Sequence, residues 1–333
     1  MTHLTRRGIL GGAVAASAAT ALTPVGGTST QAAAPLVGKQ VPGFYRYKVG
    51  SYEITAVTDG ARTFPLPDNF VRNQPKDAVN AALAAGYMER DKVTAPYTPC
   101  VVNTGSKLVV IDTGFGAASL EQSKGTVGQF HSNLAASGIS ADAVDTVILS
   151  HFHGDHINGL LTADNKPAFP KAEIMVPATE WKYWTDDGNL SKAVGTPLEG
   201  NFKNAQRVFG AFGNKVTQYD AGKEVVPGIT AIATPGHTPG HTSHLVTSGN
   251  SKLLILADVT AALGIMFVRN PGWHGVFDMD GNVAEQTRRK TFDMAASDRL
   301  MIQGFHWSFP GLGYVEKDGN GYRLVTAPWS PTI

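Results

Sequence analysis

The sequence predicts an α+β fold in which β-sheets pack on each other and are covered by helices. Many short strands come first and helices are then interleaved, in two broadly similar halves. The composition is that of a globular protein, with 42% hydrophobic and 17% charged residues. No strong linker divides the 333 residues, so we expect residues 35–333 to form a single domain.

The first half begins with a predicted hairpin. Alternating residues over 44–50 and 52–60 are separated by a Gly-Ser turn, a pattern typical of paired strands. The segment 61–98 is rich in proline and charge, with a short helix predicted near 77–87. The remaining predicted elements of this half are strands over 99–105, 107–114, 145–150 and 172–177, and helices over 125–137 and 178–184.

The second half is predicted to have more strands than helices. We see no repeat at a fixed spacing that would indicate a solenoid. A helix over 200–212 opens this half, and a charged helix over 283–296 comes late in it. The predicted strands cover 215–219, 229–234, 242–248, 252–258, 299–304, 313–317 and 321–326.

Residues 1–34 have the features of an export signal. Arg6 and Arg7 precede an apolar run of Gly and Ala, and small residues follow. The stretch TRRGIL resembles a twin-arginine signal. The apolar run is shorter than the roughly 20 residues that span a bilayer, so no stable membrane anchor is expected. We predict cleavage within 32–35 and an exported protein, periplasmic or secreted.

Charge and cysteine content exclude several classes of function. The formal net charge is +1, which argues against nucleic acid as a partner and favours a small-molecule substrate. The single cysteine, Cys100, excludes an intrachain disulfide and a cysteine-rich zinc site. Cys100 lies in an apolar run, and we expect a buried structural thiol.

The stretch LSHFHGDHINGL, residues 149–160, contains three histidines and an aspartate within six positions. His151 and His153 are two residues apart, so in extended backbone both imidazoles reach one ion. A turn at Gly154 would let Asp155 and His156 face a second ion. Nitrogen and oxygen ligands at this density suit zinc, and a polar loop without metal is the less favoured interpretation.

Four other segments accompany this motif in a fixed order, and together they resemble the metallo-β-lactamase superfamily. The resemblance covers about 44–326 and implies a four-layer αβ/βα sandwich. The segments are VVIDTG (109–114), TPGHTPGH (234–241), LILADV (254–259) and GFHWSFPG (304–311).

The resemblance implies seven metal ligands. The first ion would be bound by His151, His153 and His237, and the second by Asp155, His156 and His306, with Asp258 between the two. The last three segments independently place His237, Asp258 and His306 at strand ends, where an unpaired carboxylate would be costly. We expect Asp155 and Asp258 to take part in catalysis. Asp112 and His241 are expected to support the ligands rather than bind metal.

Two neighbouring divalent ions favour hydrolysis. They lower the pKa of a shared water, so that a metal-bound hydroxide is available near neutral pH. No GxSxG segment suggests a serine nucleophile. Zinc is the expected metal, although this ligand chemistry also accepts Mn, Co or Fe.

Within the superfamily, the chain is most similar to the branch that contains methyl parathion hydrolase and lactonases. This similarity implies aryl esters, lactones or organophosphate triesters as substrates. Dimerisation through 61–98 is expected from family analogy alone. The residues predicted to line the substrate pocket are Phe115, Trp181, Phe267, Trp273, His274 and Trp307.

Other functions remain open at this point. A metallo-β-lactamase acting on β-lactams fits the export signal, and a periplasmic metal-binding protein without activity is the non-enzymatic alternative. Export from the glutathione-containing cytoplasm disfavours a thioesterase of the glyoxalase type. The near-neutral charge disfavours a nuclease.

Overall fold

Two seven-stranded sheets form the centre of the protein in a computed structural model that describes residues 34, 36–38 and 40–333. The chain divides into Met1–Gln40 and a unit, Val41–Ile333, that contains every described strand and helix. The predicted export signal lies outside the described residues apart from Ala34.

The first sheet has the strand order β1-β2-β5-β6-β7-β8-β9. Its first four strands pair antiparallel, and β6 to β9 are parallel. The buried strands are short apolar runs, which suits a sheet that is covered on both faces. The strands are β1 (Phe44–Val49), β2 (Tyr52–Val57), β5 (Cys100–Asn103), β6 (Leu108–Ile111), β7 (Thr146–Ile148), β8 (Glu173–Pro177) and β9 (Val216–Tyr219).

The second sheet follows chain order from β10 to β16. Its strands pair antiparallel except for β13 and β14, which are parallel and are joined through a helical crossover. Its strands are β10 (Glu224–Val226), β11 (Ile229–Ala233), β12 (Thr242–Ser248), β13 (Ser251–Ala257), β14 (Met301–Gly304), β15 (Leu312–Asp318) and β16 (Gly321–Thr326). A separate antiparallel hairpin consists of β3 (Gly60–Pro65) and β4 (Lys92–Tyr97).

Nine α-helices lie in the described part of the chain. None of them combines the length and the apolar character that a membrane-spanning helix needs. They are α1 (Lys76–Ala85), α2 (Ala118–Gln122), α3 (Phe130–Ala136), α4 (Gly154–Ile157), α5 (Ala178–Trp184), α6 (Asp187–Ala193), α7 (Leu198–Gly210), α8 (Ile265–Arg269) and α9 (Gly281–Ser297).

The apolar clusters show the layer order. One cluster joins α3, α5 and α7 to the outer face of the first sheet. A second cluster lies between the two sheets and includes Ile54, Val102 and Leu253. A third joins the outer face of the second sheet to α9 through Phe292. The predicted α+β sandwich, with helices on both outer faces, is therefore confirmed.

The main difference from the sequence prediction lies in 61–98. This segment contains the hairpin β3–β4 as well as the predicted helix, which is α1. Pro65 and Pro96 obscure the strand pattern, but a two-stranded hairpin tolerates proline because its outer edges need no pairing. The predicted helix over 125–137 is shorter, since α3 begins only at Phe130.

Candidate metal centre

The predicted ligands follow strand ends at one edge of the two sheets. β7 leads through Ser150 into His151. His237 lies after β11, Asp258 follows β13 and His306 follows β14. β13 and β14 are parallel, and β11 runs in the same direction because β11 and β13 both pair antiparallel with β12. The carboxyl ends of these strands therefore meet at the same edge.

Gly154 separates two pairs of ligands in the loop after β7. His153 has extended backbone, and α4 begins at the next residue. The change from extended to helical backbone directs His151 and His153 into one group and Asp155 and His156 into another. The turn predicted at Gly154 is thus the start of a helix, and it needs no positive φ.

Three imidazole nitrogens converge in the first group. His151 Nε2 lies 3.1 Å from His153 Nδ1, and His153 Nδ1 lies 2.9 Å from His237 Nε2. His151 and His237 are buried, and His153 is half-buried. The three rings therefore present their nitrogens to one point that is accessible from one side.

The second group contains Asp155, His156, Asp258 and His306, whose ligand atoms lie within 4.8 Å of one another. Asp258 Oδ1 lies 3.1 Å from His156 Nε2, and Asp258 Oδ2 lies 3.1 Å from His306 Nε2. The same Oδ2 lies 3.2 Å from His237 Nε2 of the first group. Asp258 therefore contacts both groups, as a bridging residue must.

Most of the imidazoles are oriented by a hydrogen bond from the nitrogen that faces away from the centre. In each case the outer N–H donates to an oxygen, which leaves the inner nitrogen free as a ligand. The pairs are His156 Nδ1 to Asp112 Oδ2 (2.8 Å), His237 Nδ1 to Asp278 Oδ1 (3.0 Å) and His306 Nδ1 to the Pro96 carbonyl (2.9 Å). These acceptors therefore fix each of the three imidazoles in the tautomer that metal binding requires.

The donor set fits divalent metal ions. His156 Nε2 and Asp258 Oδ1 face each other, and both are buried without a hydrogen-bond partner in the described part of the chain. Unpaired buried polar atoms are costly, and converging imidazole lone pairs repel one another. Bound cations remove both costs, and imidazole with carboxylate is a donor set that suits Zn²⁺.

The carboxylates of the centre are held in their ionised form. Burial would raise the pKa of Asp258, but the neighbouring His306 and His156 hold the pKa well below its usual value. Burial acts in the same direction on Asp155, and the adjacent His156 lowers the pKa of that carboxyl to about 2. Both aspartates are therefore negatively charged at neutral pH, which is the form that binds cations.

Asp112 fixes two of the ligand histidines. Its Oδ1 accepts a hydrogen bond from the Ser150 backbone N–H, and its Oδ2 accepts from the Ser150 hydroxyl, each at 2.8 Å. The Ser150 hydroxyl also lies 3.0 Å from His151 Nδ1, and Oδ2 is the partner of His156. Asp112, which was predicted to support the ligands, thus lies in contact with Ser150 and His156.

His241 supports the bridging aspartate through the backbone. Its Nε2 accepts a hydrogen bond from the Asp258 backbone N–H at 2.9 Å, and its Nδ1 donates to the Thr234 carbonyl at 2.9 Å. Ala257, the preceding residue, has φ 48° and ψ −130°, a conformation that L-residues rarely adopt. The turn that aims Asp258 at the centre is therefore strained and is held by His241.

Glu180 connects two ligand loops, and sequence reasoning missed it. This fully buried carboxylate accepts hydrogen bonds from the Phe152 N–H at 3.2 Å and the Gly240 N–H at 2.6 Å. It also accepts from the Trp184 indole N–H at 2.6 Å. A signal was present, because Glu180 lies four residues before Trp184 and thus on the apolar face of a helix.

Asp278 orients His237 and was also missed. Besides the bond from His237, it accepts a hydrogen bond from the Gly275 N–H and forms an ion pair with Arg288 at 3.2 Å. Asp278 and Arg288 are both fully buried. Asp278 follows an irregular loop rather than a strand, so neither periodicity nor spacing singles it out.

A cavity of about 1100 Å³ opens onto the metal centre. Its floor includes His153, Asp155, His237, Asp258 and His306. Its walls and mouth come from α6, from the hairpin β3–β4 and from the loops around 72, 115, 197 and 277. The cavity is therefore large enough for a drug-sized substrate.

Phe115 is the predicted pocket residue that lines this cavity. Its loop is fixed by the buried Asp59, which accepts hydrogen bonds from the backbone N–H groups of Phe115, Gly128 and Phe130. The other five predicted pocket residues lie outside the lining, because their side chains fill apolar clusters or bind elsewhere. Phe267 and Trp273 pack beneath α1 and β3–β4, Trp307 packs under α9, Trp181 lies against Phe209, and His274 contacts Glu285.

Comparison with a family profile gives one match, the Metallo-beta-lactamase superfamily, over residues 98–306. The matched segment contains all seven predicted ligands. Among curated proteins, N-acyl homoserine lactonase AttM of Agrobacterium fabrum (strain C58) is 33% identical over 144 residues, 41% of this chain and 47% of the relative. The chain thus spans about half the length of the curated relatives it matches.

Two solved structures share most of the architecture. AidC, a dizinc quorum-quenching lactonase in complex with a product, has a TM-score of 0.78 at 26% identity, covering 86% of this chain and 98% of that one. The hydrolase AbOPH in the beta-lactamase superfamily has a TM-score of 0.78 at 28% identity, covering 88% and 100%.

Proposed function

Because the chain belongs to the metallo-beta-lactamase superfamily, we propose that it is a metal-dependent hydrolase with two divalent ions at this centre. The observation that carries the proposal is the convergence of seven ligand side chains in two groups that Asp258 joins. The resemblance to a dizinc lactonase supports zinc as the metal.

Different residues of the chain would hold each of the two ions and orient the reacting groups. Bound divalent ions supply Lewis acidity and lower the pKa of water at such a site. His151, His153 and His237 would hold one ion, and Asp155, His156 and His306 the other, with Asp258 between them. The rigid histidine orientation keeps the reacting groups at fixed distances, so little reorganisation accompanies the reaction.

Asp155 is the candidate proton carrier. Its side chain is 17% exposed and lines the cavity, whereas the side chain of Asp258 is 4% exposed. In the proposed reaction the oxygen of water bonds to the carbonyl carbon, and the carbonyl carbon–oxygen single bond breaks. Asp155 accepts the proton of the water and delivers it to the leaving oxygen. One water is consumed, and an ester gives an acid and an alcohol.

We propose carboxylic esters and lactones as the substrate class, with aryl phosphotriesters as weaker substrates. Similarity to the lactonases AttM and AidC supports lactones. The apolar wall formed by Phe64, Phe115 and Phe277 suits an aryl or acyl group next to the scissile bond.

A substrate panel with metal analysis tests the proposal. Purified protein should contain close to two metals per chain and should hydrolyse p-nitrophenyl acetate and an acyl-homoserine lactone faster than paraoxon. Metal removal by a chelator should abolish turnover, and Zn²⁺ should restore it. A folded protein that binds no metal would refute the centre, and preferred turnover of nitrocefin would favour a β-lactamase instead.

A further inference from the structure

We propose that the mouth of the cavity is a carboxylate-binding subsite, formed by Arg62, Arg72 and Lys192, which selects anionic esters and lactones. The inference rests on the proposed hydrolase function and names the substrate class more narrowly. The scissile bond would lie at the metal centre, and a carboxylate on the far end of the substrate would lie at the mouth.

The charges of the cavity are separated between floor and mouth. Its acidic lining residues are Asp155, Asp258 and Asp278, and its lysine and arginine residues are Arg62, Arg72 and Lys192. Each of the aspartates already faces a histidine of the centre, and Asp278 also pairs with Arg288. None of the three basic side chains forms an ion pair with a residue that the structure describes. The mouth is therefore positive and uncompensated, and bound divalent ions would add to this field.

Two backbone carbonyls fix the position of Arg72 at the mouth. Its Nη1 donates a hydrogen bond to the Asp278 carbonyl at 2.8 Å, and its Nη2 donates to the Val276 carbonyl. An arginine has five N–H donors, so three stay available after these two bonds. A guanidinium fixed in this way binds a carboxylate with little loss of side-chain entropy.

Arg62 is positioned by an aromatic ring. Its guanidinium carbon lies 3.9 Å from the centroid of the Phe115 ring. Phe115 contacts Tyr97 edge-on at 4.8 Å, and Tyr97 lies 5.2 Å from the His306 ring. A chain of ring contacts thus links this cation to the floor, and it provides an apolar surface between the two.

The layout specifies an amphiphilic substrate. Phe277 and Met279 add apolar surface to the same wall. A ligand with a reactive carbonyl, an apolar middle and a terminal carboxylate would match floor, wall and mouth in that order. A carboxylate would also compensate the positive charge of the mouth, which a neutral ester cannot do.

A pair of esters with the same leaving group tests the subsite. 4-Nitrophenyl hydrogen suberate carries a terminal carboxylate, and 4-nitrophenyl octanoate is its neutral counterpart. The readout is kcat/KM for the suberate ester divided by kcat/KM for the octanoate ester. This ratio is measured in the wild type, Arg62→Gln and Arg72→Gln. We expect the ratio to fall by roughly tenfold in each variant and to fall with added NaCl. Arg323→Gln, an exposed arginine on β16, is the matched control and should leave the ratio unchanged.

Ligand-binding measurements test the carboxylate subsite independently of turnover. The probes are 4-phenylbutyrate and its neutral amide, titrated calorimetrically into the full chain. We expect Arg62→Gln to weaken binding of the carboxylate by roughly tenfold and to leave the amide unaffected. Equal losses for both probes, or none, would refute the subsite. If neither ester is hydrolysed but the carboxylate binds as expected, the hydrolase proposal fails and the subsite stands.

Discussion

The floor and the mouth of the cavity are built by different means. At the floor, buried side chains are each fixed by several partners, as Asp112 fixes His151 and His156. At the mouth, exposed side chains such as Arg62 and Lys192 project from a hairpin and a short helix. A change at the floor therefore affects several linked side chains, whereas the mouth can be altered one residue at a time. We therefore expect the floor to set the reaction type and the mouth to set substrate choice.

Among the changes considered, replacing the bridging aspartate at the floor should cause the largest loss of activity. Asp258→Ala removes the carboxylate that contacts both ligand groups. We expect kcat/KM to fall by about a thousandfold, which corresponds to several kcal/mol of lost metal-ion stabilisation. Activity assays with metal analysis check this result. Asp318→Ala, on the exposed end of β15, is the control, and full activity in Asp258→Ala would refute the bridging role.

Replacing the partner of His237 should weaken the floor without removing a ligand. Asp278→Asn keeps the shape but loses the negative charge that fixes the His237 ring and pairs with Arg288. We expect metal affinity to fall by about ten- to a hundredfold, measured by competition with a chelator. Excess metal should restore most of the activity. Unchanged affinity would mean that Asp278 has only a packing role.

The pH dependence of stability tests Asp59, the buried carboxyl group that fixes the loop of Phe115 beneath Arg62. Burial raises the pKa of Asp59 to about 6, although the three backbone N–H groups that bind this carboxylate lower its pKa. The folded state therefore holds this proton more tightly than the unfolded state, so the stabilisation is full below about pH 4 and is lost as pH rises through 6. We expect the free energy of unfolding of the wild type relative to Asp59→Asn to decrease by about 3 kcal/mol across this range. A difference that is flat or rises with pH would contradict the shift.

The smallest effect is expected at the apolar rim. Phe277 is 46% exposed, so Phe277→Ala should change the free energy of unfolding by less than about 0.5 kcal/mol. We expect a decrease of roughly two- to threefold in kcat/KM for 4-nitrophenyl octanoate and less for the acetate. An equal loss for both esters would place the effect in the chemistry at the floor.

The sequence was most informative where ligands lie close together or end strands. HFHGDH is a local motif, and the strand ends before His237, Asp258 and His306 follow from apolar runs. Asp278 and Glu180 were missed because their roles depend on which loops meet in three dimensions. Trp273 was expected in the pocket because it lies in a glycine-rich loop, but α1 and the hairpin β3–β4 cover it. Export and dimerisation stay predictions.

At Ala257 a strained backbone conformation adjoins a predicted metal ligand, Asp258. Its φ of 48° is costly for any residue with a β-carbon, by about 1–3 kcal/mol, and the unfolded chain does not bear this cost. Selection for thermal resistance would favour glycine at this position. Glycine would also give the turn before Asp258 more freedom, and the bridging oxygen would be held less firmly. We therefore expect glycine at position 257 to raise thermal stability and alanine to hold the Asp258 carboxylate in place more firmly.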